Sequence, residues 1–194
     1  MRKIEEFWIE FDAKPPKAPF MSFVFDVTDS LKGAVVAAFV VFCLVLRVIG
    51  VEGSSMYPTL NDGDWITVSG QSFTVDRGDI VVANPPWERG VPVVKRVIAV
   101  GGDTVNINFI SGEVYVNDVK LDEPYINGDE TLWGDVAFPL KVPEGSFFVL
   151  GDNRGVSLDS RSSKIGCIDE RYVLGEMLFR IYNAEKTTQN KGVS

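Results

Sequence analysis

The chain contains no histidine, so it lacks the usual proton acceptor of hydrolases and the commonest metal ligand. A Ser-His-Asp triad, a Cys-His dyad, a His-based zinc protease and a His-ligated structural zinc are all excluded. A hydroxyl nucleophile would need another base, and a desolvated lysine is the obvious one. Free lysine titrates at about 10.4, so it accepts a proton at neutral pH only where apolar surroundings disfavour its charge. One lysine has that setting: Lys95 lies in VPVVKRVIAV, with Val94 before it and Val97 and Ile98 beyond Arg96. In a strand, Lys95 and Arg96 point to opposite faces, one towards a pocket and the other towards solvent or an acid. Taken alone, a strand lysine is more commonly a solvated edge charge. The hydroxyl candidates are Ser54 and Ser55 in GSSMYPTL, Gly53 to Leu60. Composition makes this run a tight turn into a strand, with Gly53 allowing close backbone approach and Pro58 fixing a bend.

The elements that must position these residues are short. After Val51 the sequence alternates runs rich in Val, Ile and Phe with Gly, Asp, Asn and Pro: WITVSG, GDIVVAN, VPVVKRVIAV, DTVNINF, GEVYVND and GSFFVLGDN. Without convincing amphipathic helices between them, these runs predict a mainly β domain with antiparallel pairing. Pro85, Pro86, Pro124, Pro139 and Pro143 fall between runs, where strand breakers belong. Two cysteines, Cys43 and Cys167, are too few for a disulfide framework or a four-thiolate site and read as plain apolar residues. No metal and no cofactor is expected. With 19 Lys+Arg against 27 Asp+Glu the net charge is −8, which argues against a nucleic-acid partner.

Gly33 to Val51, GAVVAAFVVFCLVLRVIGV, is an apolar run of 19 residues whose single charge is Arg47. As a helix it spans about 28 Å, the thickness of a bilayer's hydrocarbon core. The 32 residues before it are too long and too acidic for the n-region of a cleaved signal, so a signal anchor is expected. Lys17 and Lys32 precede the span, whereas after Arg47 no Lys or Arg occurs before Arg77, which predicts a cytoplasmic N-terminus. Ile4, Phe7, Trp8 and Phe11 have helical spacing, and AKPPKAP, residues 13–19, reads as a stiff linker. The expected divisions are a tail at 1–30, a transmembrane anchor at 31–51, an extracytoplasmic β domain at 52–183 and a polar tail at 184–194.

Taken together, GSSMYPTL and VVKRVIAVGGDTV resemble the serine and lysine motifs of bacterial type I signal peptidases. A third block, GDNRGVSLDSR from Gly151 to Arg161, matches that family's signature without a departure. RGDIVV at 77–82 and IGCIDERYVLGE at 165–176 add to the resemblance, which runs in order from about Leu31 to Arg180. It implies a signal-peptidase-type catalytic domain behind one N-terminal transmembrane helix, at the outer face of the bacterial cytoplasmic membrane. The implied reaction is removal of signal peptides from secretory preproteins, with Ser55 as nucleophile and Lys95 as general base.

The same resemblance implies that Ser157 orients Lys95 and that Asp152, Asp159 and Arg161 are scaffold. The spacing of Asp159 and Arg161 puts both on one face of an extended strand, where they can pair. An oxyanion hole built on the Ser55 N–H is implied. The serine that adds a second donor in some members is here Gly53, and Ser54 would replace it only if the local turn differs from the family's. Met56, Leu60, Val93 and Val94 match positions that form shallow pockets for small side chains at substrate positions −1 and −3. The substrate would add as a β-strand. The other expected partner is the lipid bilayer, and the chain is expected to be a monomer. The alternatives are a catalytically silent homologue that assists pilin or surface-protein assembly, a specialised Ser-Lys transfer peptidase, and a self-cleaving repressor, whose type is soluble.

Overall fold

A computed structural model of the chain describes residues 19–70, 74–86, 91–127 and 134–182. The expected features at Ile4 to Phe11, most of the AKPPKAP linker and the tail from 184 lie outside these residues. The chain divides into two compact units, Met1–Leu44 and Val45–Ser194.

The described part of the first unit is helical. Helix α1 runs from Pro19 to Val45, and Pro at the first helical position gives up only a hydrogen bond that would have been unmade anyway. Residues 19–30, read from sequence as tail, are therefore its first turns. The helix also stops six residues before the expected end of the apolar run, because Leu46–Gly50 forms strand β1. These five residues pair antiparallel with Trp65–Ser69, β2, from Leu46 opposite Ser69 to Gly50 opposite Trp65. The ladder satisfies their backbone groups in the sheet instead of in a helix. Among the described residues no helix is long and apolar enough to cross a membrane.

The second unit is mainly β and antiparallel, as expected. The remaining strands are β3 Ile80–Ala83, β4 Val93–Val100, β5 Thr104–Asn108, β6 Glu113–Val116, β7 Val119–Lys120, β8 Leu140–Lys141, β9 Ser146–Leu150, β10 Ile168–Asp169 and β11 Val173–Tyr182. Seven form one sheet in the order β1-β2-β11-β3-β4-β9-β10, and four form another in the order β7-β6-β5-β8. All six strand runs read from the sequence are strands here. The longest strand, β11, was not among them, since its bulges opposite β2 and β3 break the clean alternation that marks a strand.

β9 is buried along its whole length and feeds two cores from its two faces, as the two-residue side-chain period requires. Phe148 and Leu150 pack with Ile98, Val105 and Val116, while Phe147 and Val149 pack with Val81, Val97 and Ile168. A register shift between Val97 and Ala99 lets the consecutive Ile98 and Ala99 join the same cluster. A third cluster, with Met56, Leu60, Ile66, Val68 and Val82, anchors the loop that carries the candidate serines.

Candidate active site

Lys95 is held from the strand side. β4 lies between β3 and β9, and Lys95 stands opposite Val81. Its side chain is 6% exposed, so it is not the solvated edge charge that is the common fate of a strand lysine. Lys95 Nζ lies 2.9 Å from Ser55 Oγ and donates to its neighbour's carbonyl, Val94 O, at 3.0 Å.

Ser55 is held by a loop, residues 51–64, that joins β1 to β2. The neck is closed by Val51 N–H donating to Asp64 O at 2.8 Å and Gly63 N–H donating to Val51 O at 2.9 Å. Gly53 has a φ of 85°, a conformation open to glycine at no steric cost, and its N–H donates to Asp62 Oδ1 at 2.7 Å. Two local turns follow, from Tyr57 N–H to Ser54 O at 3.1 Å and from Leu60 N–H to Met56 O at 2.9 Å. Met56 and Leu60 are buried and peg the loop into the core. Asp64 is fully buried and accepts from Asn61 N–H at 2.9 Å and from Arg180 Nη1 at 3.0 Å.

The third block clasps this loop. Asn153 N–H donates to Ser55 O at 3.0 Å, and Asn153 Nδ2 donates to Ser54 O at 3.1 Å. Thr59 Oγ1 donates to Asp152 Oδ2 at 2.5 Å, while Arg96 grips both oxygens of the same carboxylate at 2.8 and 2.7 Å. The acid that the sequence left open as the partner of Arg96 is thus Asp152. Burial works to lower the Arg96 pKa, but the hydrogen bonds and charge of Asp152 outweigh it and leave the guanidinium pKa raised. Gly151 has no room for a side chain: an added Cβ would lie 2.2 Å from Ser157 Oγ and 2.5 Å from Ser55 O.

Ser157 is 3% exposed, and its Oγ has no hydrogen-bond partner among the described residues. Asp159 and Arg161 pair at 2.8 Å, both buried. They do so within turns and not on an extended strand, because Arg161 also donates to the carbonyls of Arg154 and Ser157, and Asp159 accepts from Gly151 N–H. The pair therefore closes the turn from Gly151 to Arg161 on itself.

A cleft of about 610 Å³ opens beside Ser55 and Lys95. Met56, Val93 and Val94 line it together with Ile49–Gly53, Val91 and Pro92. Leu60 does not line it; it is fully buried in the core. Ser54 is exposed beside the nucleophile candidate. Cys167 is a free thiol whose burial pushes its pKa up to about 11, which suits the apolar role expected of it. Among the described residues no cluster of His, Cys, Asp and Glu is arranged to hold a metal ion. Sequence reasoning assigned no role to Thr59, Asn153, Asp62 or Arg180. The first two sit inside the quoted motifs, so the signal was present without an assignment.

Comparison with known proteins follows the same residues. The family described as "Signal peptidase, peptidase S26" matches residues 25–182. Signal peptidase I of Bacillus licheniformis is 38% identical over 167 residues, covering 80% of this chain and 87% of that protein. Signal peptidase I T of Bacillus subtilis is 38% identical over 152 residues, covering 73% and 76%. A crystal structure of a signal peptidase I from Enterococcus faecalis is 32% identical, with a TM-score of 0.47, and covers 56% of this chain and 100% of that one. The family match spans all three blocks that build the cleft, and on it the chain belongs to the signal peptidase, peptidase S26, family and is a serine peptidase of that type.

Proposed function

We propose that the protein removes signal peptides from secreted preproteins through a Ser55–Lys95 dyad. The observation that carries this reading is the 2.9 Å separation of Ser55 Oγ and Lys95 Nζ beside an apolar cleft. A lysine taken out of water gives up its proton more readily, and a neutral Lys95 amine takes the Ser55 proton as Oγ attacks the scissile carbonyl. The resulting ammonium then returns the proton to the leaving amine. Ser157, buried behind Gly151, makes no hydrogen bond to the amine here, and its unused hydroxyl is the group available to steady it during the reaction. The Ser55 N–H is the first oxyanion donor. Gly53 brings no hydroxyl, and its own N–H is already given to Asp62, which leaves Ser54 as the neighbour able to add a second donor. Asp152, Asp159 and Arg161 act as scaffold.

The preprotein adds as an extended strand along the cleft, with small side chains at −1 and −3 against Met56, Val93 and Val94. The helical unit is the membrane anchor, with the N-terminus cytoplasmic and the β unit outside. The helical part of the apolar run, Gly33 to Val45, is too short alone for a hydrocarbon core of about 30 Å, so residues from Pro19 onward contribute. Asp29 and Lys32 within them pair at 2.9 Å. Val35, Val36, Phe39 and Val40 are exposed along the helix, and Trp65, Phe179 and Ile181 on β2 and β11, which supports a lipid neighbour. The silent assembly-factor reading has no comparable support, since it gives no reason for a serine and a buried lysine to meet.

The test is cleavage of a purified preprotein with an Ala-x-Ala signal end, in lipid, by the wild type, Ser55→Ala and Lys95→Ala. Cleavage at that junction by the wild type alone is expected. Retained cleavage by Lys95→Ala removes the dyad, and cleavage by none of the three, all folded, removes the peptidase reading.

A further inference from the structure

Residues 121–127, which follow β7, contribute nothing to the chemistry above, yet their side chains reach the scaffold behind it. Tyr125 lays its ring over the Arg96 guanidinium, whose central carbon is 3.9 Å from the ring centroid. Tyr125 Oη donates to Glu123 Oε1 at 3.1 Å. Glu123 in turn accepts two hydrogen bonds from Arg154, an ion pair only 3% and 7% exposed at its two side chains. Arg154 Nε donates to Gly151 O at 3.1 Å, and Asn127 N–H donates to Asp152 O at 3.0 Å. The segment thus grips the Gly151–Arg154 turn at two points, Arg154 and Asp152, and covers the cation that this turn holds. Tyr125 belongs to none of the three hydrophobic clusters, so its packing serves this polar assembly.

Arg96 adjoins Lys95 along β4, and its partner Asp152 accepts from Thr59 of the serine loop. The Arg96–Asp152 pair is therefore a side-chain bridge between the strand that carries the amine and the loop that carries the hydroxyl. A guanidinium under an aromatic face is held by the ring's quadrupole and kept from competing water. We propose that residues 121–127 form a strap in which Tyr125 is a positioning residue, fixing Arg96 behind Lys95 and so setting the approach of the Lys95 amine to Ser55. Its catalytic meaning rests on the dyad reading above.

The test uses the full chain in lipid and compares Tyr125→Phe, which keeps the ring over Arg96, with Tyr125→Leu, which removes it. Turnover of the Ala-x-Ala preprotein across pH is measured beside the melting temperature and the hydrogen exchange of the Tyr57 and Leu60 amides. Tyr125→Leu should lower kcat at least tenfold with KM within twofold, displace the acid limb of the kcat–pH profile, and speed exchange at Tyr57 and Leu60 but not across β2. Tyr125→Phe should stay within threefold of the wild type in kcat. Wild-type kcat in Tyr125→Leu overturns the proposal, as does exchange that rises equally across β2, which marks general loosening. If the wild type cuts no preprotein, the function reading fails by itself, and the exchange rates still decide whether the strap holds the serine loop.

Discussion

Asp152 is the residue whose replacement should separate the stability of the fold from the geometry of the dyad. Its side chain is 1% exposed and that of Arg96 is 11%, so the pair sits where a lone charge is badly solvated. Removing one partner of a buried pair costs about 3–5 kcal/mol, chiefly because the other charge is left uncompensated. Asp152→Asn keeps one acceptor oxygen for Arg96 and belongs at the low end, about 3 kcal/mol; Asp152→Leu belongs at the high end. The double variant Arg96→Met, Asp152→Leu removes both charges and leaves mainly Thr59 Oγ1 without its acceptor, a residual cost of about 1–3 kcal/mol. The double variant should thus be more stable than Asp152→Leu alone, by a margin that urea unfolding followed by tryptophan fluorescence in detergent resolves. Turnover should not recover with it, because the link from β4 to Thr59 is gone in both. An Asp152→Asn cost below about 1 kcal/mol would contradict the burial of the pair. Full turnover in the double variant would refute the bridge as a determinant of Ser55–Lys95 geometry.

Gly151→Ala should be close to inactive and destabilised by about 1–3 kcal/mol, the cost of overpacking, because its Cβ collides with Ser157 and with the Ser55 carbonyl; thermal melts and cleavage assays check both. Burial first, then the charges of Asp79 and Asp76, raise the Glu176 pKa in the fold. A carboxyl raised in this way favours the fold below its unfolded pKa and loses that contribution as pH rises through its folded pKa. Glu176→Gln should therefore stabilise the protein at pH 7 and bring no gain near pH 3, and an equal effect at both would show that charge is not the cause. EDTA should leave cleavage unchanged, since Ser55 and Lys95 need no metal to exchange a proton, and strong inhibition would contradict the dyad.

The meeting of Lys95 with the serine loop was legible mainly through the family resemblance: the absence of histidine turns attention to lysines and Lys95 stands inside an apolar strand run, but taken alone a strand lysine reads as a solvated edge charge. The strands β2 to β6 and β9 were legible directly: each is short, rich in branched and aromatic residues, and bounded by turn formers. Leu46–Gly50 was not, since an apolar run looks the same in a helix and in a strand until the partner is known. That partner, β2, lies beyond a 14-residue loop. The pairing of Asp159 with Arg161 was legible from spacing, but its setting in a turn depends on carbonyls at Arg154 and Ser157 that spacing does not reveal. Arg96 with Asp152, and Glu123 with Arg154, join positions 56 and 31 residues apart, and no local pattern encodes such a meeting.

On the proposed dyad, these long-range contacts meet a need that a lysine acting as base would create. An imidazole is a rigid ring that one carboxylate can orient, whereas a lysine amine ends a flexible stem with about 2 kcal/mol of rotamer entropy to lose. Burial along β4 and the bond to Val94 O restrain the Lys95 stem. The serine must still be brought to the amine, and it rides on a loop that has no ladder of its own. That loop is accordingly tied down residue by residue: Gly53 by Asp62, Ser54 and Ser55 by Asn153, Thr59 by Asp152 and Arg180, and Met56 and Leu60 by the core. Two of these ties, through Asn153 and Asp152, come from the single turn that also carries Ser157. Because that turn bonds to the Ser54 and Ser55 carbonyls, Thr59 and Arg96 and carries Ser157, its gripping by Glu123 and Asn127 from one side and its closure by Asp159 and Arg161 on the other bear, on the proposed dyad, on one distance, that between Ser55 and Lys95.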